Sequence, residues 1–170
     1  MIATGTCVMR GDEAEEDSEN SVRGMVTFEW DETEEVLVKG TVKGLKPGKH
    51  GLYVCAFGNV TNGYTSSGAH YNPCDKKHGG PEDTDRHVGD LGNIEADDDG
   101  VANFEMHNRL LRLAGNYSII GRTLVDLHTN SKCQERCMRT NLQRTLFLLR
   151  LHHHRTYNHI PVQTLALPWV

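Results

Sequence analysis

Short stretches in which apolar and polar residues alternate, separated by clusters of Gly, Asp and Pro, organise the first half of the chain. Strand side chains point to opposite faces in turn, so a period of two marks a half-buried strand. The pattern predicts strands at residues 7–10, 24–30, 36–42 and 52–57. In the second of these, Val26, Phe28 and Trp30 share one face, and Met25, Thr27 and Glu29 share the other. Residues 12–20 are acidic and read as a solvated loop. Residues 45–49 read as a turn, because Pro47 presets φ and Gly48 tolerates positive φ. Further strands are expected at 101–106, 117–120 and 122–127, with a tight turn at 97–100. Many short strands with recurring turns indicate an all-β sandwich or barrel.

Between residues 58 and 90 the periodicity disappears. A structureless loop of that length within one domain is uncommon, and is usually functional or disordered. Its composition buries too little apolar surface to offset the entropy of ordering it. His70, His78, His87 and Asp90 lie inside it with the spacing H-x7-H-x8-H-x2-D. Three imidazoles and a carboxylate suit a tetrahedral Zn²⁺ shell, with bonds of about 2.0–2.2 Å. An ion there would order the loop, since metal-binding energy becomes folding energy. Taken alone, the spacing also fits three solvated loop histidines.

The chain has 170 residues, which favours one domain at roughly 100–200 residues per domain. Its net charge is −5, against the basic stripe that a nucleic-acid binder presents. No apolar run is long enough to span a bilayer, so no membrane partner is expected. The N-terminus shows no basic segment followed by an apolar one, so the expected location is cytoplasmic, with an extracellular one left open. Five cysteines are too few, and too odd in number, for a disulfide scaffold. Cys7 is expected to pack as a small apolar residue, and Cys74 to pair with Cys133 or Cys137 only under oxidising conditions.

The segments Gly68-Ala-His-Tyr-Asn-Pro73, Lys77-His-Gly-Gly-Pro81, Arg86-His-Val-Gly-Asp-Leu-Gly-Asn93 and Ile120-Gly-Arg-Thr-Leu-Val125 occur in that order. Together they closely resemble the copper/zinc superoxide dismutases, from about Cys7 to about His128. The resemblance implies an eight-stranded Greek-key β-barrel, an immunoglobulin-like sandwich, with a long zinc-binding loop. It implies that His70, His78, His87 and Asp90 are zinc ligands, and that His70 also bridges zinc to copper. The domain would span residues 1–128, leaving 129–170 as a divergent C-terminal segment that replaces the last strand. Within that segment, residues 145–151 read as a strand in preference to a helix, and His152-His-His154 as a surface tract.

The copper half departs from the family pattern. Tyr53 and Cys55 stand where the resemblance implies two copper-binding histidines. A phenol with pKa near 10 is a poor copper ligand at neutral pH, and a thiolate favours Cu(I). His128 resembles the fourth copper ligand, but one extra residue precedes it, and one residue reverses the face in an unbulged strand. Tyr64 stands at the family's first disulfide cysteine, and no cysteine follows Cys137 to serve as the second. Gln143-Arg144 offers a weak match to the family's guiding arginine. The reading is therefore a dismutase-like zinc protein or metal-chaperone-like domain without copper chemistry. The competing reading is an active dismutase using His70, Cys55 and His128. Family dimers use the segment near Phe57 and the last strand, so the resemblance implies a weak homodimer or a monomer.

Overall fold

The computed structural model describes residues 3–11, 21–30 and 35–128, with the backbone of 144–146 and 150–153. These residues form ten strands. They are β1 (Ala3–Gly11), β2 (Arg23–Trp30), β3 (Val36–Lys43), β4 (Gly48–Val54) and β5 (Thr61–Tyr64). After a short 3-10 turn, Thr65–Ser67, come β6 (Asp90–Ala96), β7 (Ala102–Asn108) and β8 (Leu124–His128). β9 (Arg144–Leu146) and β10 (Arg150–His153) follow. The hydrogen-bonded path runs β6-β4-β8-β9-β1-β2-β3-β7, with β10 also beside β1, and every pairing is antiparallel.

Alternation places the core. Cys7 and Met9 of β1, Val26 and Phe28 of β2, and Val36, Val38 and Val42 of β3 are all fully buried. Their neighbours Val8 and Met25 face solvent on the other side. Leu52, Val54 and Leu124 extend the same core into β4 and β8. One edge of β1 is covered by β2 along nearly its whole length. On the other edge, β10 pairs with Ala3 to Thr6, and β9 with Arg10 and Gly11. β9 also pairs with Asp126 and Leu127, so the tail joins β1 to β8 and covers strand edges that would otherwise stay unpaired.

Three elements differ from the sequence reading. β6 is absent from the expected strands because Gly92 and Asn93 interrupt its apolar pattern; Gly92 has φ +96° beside a register shift between β4 and β6. Residues 117–120 form a turn, flanked by Gly115 and Gly121 at φ +79° and +81°. Ile119 buries its side chain there while its N–H donates to the Arg112 carbonyl. The 58–90 segment contains β5 and the 3-10 turn, held in part by backbone bonds to β4.

Candidate metal centre

Main-chain hydrogen bonds carry the loop onto the end of β4. Val54 N–H donates to the Gly89 carbonyl, Tyr71 N–H to the Val54 carbonyl, and Gly89 N–H to the Tyr71 carbonyl. A Cβ on residue 89 would collide with the Val54 carbonyl, so only glycine allows this approach. Gly89→Ala is expected to cost about 1–3 kcal/mol through overpacking, measured as a lower denaturation midpoint in urea. Cys55 and His70 form a backbone bridge, which sets His70 beside the strand. Asn72 closes the next turn by accepting from Lys76 N–H and donating to the Lys76 carbonyl, and Asp83 accepts from Gly80 N–H. These turns return the chain past His78 to His87 and Asp90.

His70, His78, His87 and Asp90 converge, and one ligand atom from each lies within 4.8 Å of the others. The Asp90 carboxylate, 2% exposed, is the hub. His70 Nδ1 lies 2.6 Å from Oδ1, His78 Nδ1 3.1 Å from Oδ2 and His87 Nδ1 3.3 Å from Oδ1. Gly79 and His87 donate backbone N–H groups to Oδ2 at 3.1 and 3.2 Å. Arg86, itself buried, donates Nη1 to the Asp90 carbonyl. Burial alone would raise the Asp90 pKa. The His70 hydrogen bond, the Gly79 N–H and the charges of His70 and His78 outweigh it and hold the group well below the usual carboxylate range. Four nitrogen and oxygen donors around one point form a donor set that zinc accepts.

The other candidate residues lie differently. The Tyr53 ring stacks on His70, with centroids 4.1 Å apart and planes inclined by 20°. Cys55 is buried, and burial raises its thiol pKa against an opposing hydrogen bond with Ser67. His128 pairs in register with His50, on the strand face opposite to that of Tyr53. Its ring meets the His50 ring edge-on at 4.8 Å, and its Nε2 lies 3.4 Å from the Pro47 carbonyl. His70 and His128 are therefore not brought together. Tyr64 ends β5, and the thiols of Cys7, Cys55 and Cys74 are free. The side chain of Arg144, and all of Cys133, Cys137 and His154, lie outside the described residues, as do the side chains of His152 and His153.

One polar feature has no counterpart in the sequence reading. His50 and Asp126 are both fully buried, with His50 Nδ1 3.0 Å from Asp126 Oδ2 and Nε2 2.7 Å from the Lys46 carbonyl. Among the described residues, Asp126 Oδ1 has no hydrogen-bond partner. The one available signal is a carboxylate inside the apolar run Leu124-Val-Asp-Leu127.

Among the described residues no helix is long and apolar enough to cross a membrane. The family model described as copper/zinc superoxide dismutase matches residues 22–141, starting later than the motif resemblance and ending beyond it. Family relatives hold copper and zinc, and the His/Asp cluster lies within the matched region. With an antiparallel all-β architecture and most of the chain matched, the protein belongs to the copper/zinc superoxide dismutase family.

Proposed function

We propose that this protein is a dismutase-like zinc-binding protein, built as a Greek-key β-barrel, that has lost copper chemistry. The observation that carries the zinc reading is the convergence of His70, His78, His87 and Asp90 around one point. Four protein ligands leave no open position, which makes the ion structural, and zinc has no redox chemistry of its own. The residues at the copper side do not fit copper: of the four positions, only His70 offers a nitrogen on that face. Tyr53 offers a phenol, Cys55 a buried thiol whose pKa is raised, and His128 points to the opposite face. A thiolate at Cys55 would favour Cu(I), against the cycling between Cu(II) and Cu(I) that dismutation requires.

Pulse-radiolysis measurement of superoxide decay tests the loss of activity. Copper-supplied protein should dismute superoxide no faster than the same concentration of free copper. Rapid dismutation that disappears in His70→Ala would establish the active-dismutase reading. The tail strands β9 and β10 take up the edge of β1, and we read this as weakening the family dimer. Sedimentation at micromolar concentration should give a monomer or a weak homodimer; a tight dimer would contradict that reading. The acidic net charge gives no reason to expect a nucleic-acid partner.

A further inference from the structure

We infer that Tyr53 is a positioning residue for the zinc ligand His70, so that the former copper position now serves the zinc centre. This deepens the zinc reading and rests on it. His70 is held from three directions. Its backbone is pinned by the bridge to Cys55. Its ring edge meets Asp90 Oδ1 at 2.6 Å. Its ring face lies against the Tyr53 ring, nearly parallel at 4.1 Å.

The same strand pair supplies two of these holds. Tyr53 and Asp90 are register partners across β4 and β6, just beyond the shift at Leu52/Tyr53. The bulge thus places an aromatic plate and a carboxylate on adjoining sides of one imidazole. Bulges commonly re-aim side chains beside functional sites. The His78 and His87 rings approach His70 edge-on at 5.2 and 5.6 Å, so only Tyr53 contributes a stacked face among the described ring contacts. Rotation of the imidazole about its Cβ–Cγ bond would turn Nδ1 away from Asp90 and break the stack together. Groups that orient a metal-bound histidine typically change affinity by about 10–100-fold when removed. The stack is a contact of the ring, which phenylalanine keeps, so phenylalanine should replace tyrosine in it.

The test uses the full chain loaded with zinc alone, with zinc loss followed against a chromophoric chelator. Tyr53→Phe should hold zinc as the parent does. Tyr53→Leu, which keeps apolar volume without a ring, should weaken zinc affinity by about 10–100-fold and release the ion faster. Cobalt substitution gives an independent readout, since a displaced imidazole alters the visible d–d bands in Tyr53→Leu and not in Tyr53→Phe. Melting of both forms separates positioning from a structural role. Positioning shrinks the gap between apo and zinc-loaded midpoints, whereas lost packing lowers both equally and overturns the inference. Parent-like zinc affinity and cobalt bands in Tyr53→Leu would also overturn it. If the parent chain itself retains no zinc, the zinc reading fails and this inference falls with it.

Discussion

Removing zinc from this protein should lower its melting temperature by roughly 8–16 °C. The figure takes free zinc at a thousand times its dissociation constant, worth about 4 kcal/mol, in a chain where each kcal/mol shifts the midpoint by about 2–4 °C. The loss should be local in origin. The segment 58–90 carries the four proposed ligands, and apart from its backbone bonds to β4 little in its composition would hold it. Hydrogen exchange should rise there on chelation, while the paired strands β1, β2 and β3 keep their protection. His87→Ala, which deletes one of four donors, should reproduce the loss even with zinc present. His107→Ala is the control: His107 is exposed on β7, beside Glu35, and its removal should change stability by less than about 0.5 kcal/mol. An apo protein that melts with the zinc-loaded one would contradict the ordering role.

The second large effect is expected in the core. His50 and Asp126 are buried together, and breaking such a pair from one side typically costs about 3–5 kcal/mol. Asp126→Leu should therefore destabilise the fold strongly. His50→Leu combined with Asp126→Leu should recover most of the loss, because the pair's own desolvation cost disappears with it. Burial lowers the His50 pKa, but the Asp126 hydrogen bond and charge and the Lys46 carbonyl outweigh it, leaving the group raised. Its stabilisation is complete below about pH 6.5, the unfolded imidazole's value, and is lost as pH rises through the higher folded value. His128 is the other titratable ring against it. Urea denaturation of zinc-saturated protein should show stability falling above neutrality, with a smaller fall in Asp126→Leu. An unchanged slope in that variant would show that the pair does not set the pH dependence.

The convergence of His70, His78, His87 and Asp90 was legible because these residues sit close in sequence. His70 to Asp90 occupy one loop, and the glycines between them repeat a family pattern. The strands with clean alternation, such as Val26-Thr-Phe28 and Val36-Leu-Val38, were legible for the same reason: the signal is local. What stayed hidden depends on partners far along the chain. β6 reads poorly as a strand because Gly92 sits beside a bulge in the pairing with its neighbour β4. Ile119 and Ile120 suggest a strand, yet the buried Ile119 belongs to a turn whose shape comes from Gly115 and Gly121. The His50–Asp126 pair joins β4 to β8 across 76 positions. The Tyr53–His70 stack likewise needs the fold to bring a strand residue against a loop residue.

The most direct test of the account is the metal content of protein produced with zinc and copper both in excess, washed free of loosely bound ions and weighed intact under native conditions. One zinc and no copper per chain is the expected composition, with the zinc absent from His87→Ala. A chain that carries stoichiometric copper, released on His70→Ala, would contradict the claim that only the zinc half of this centre survives.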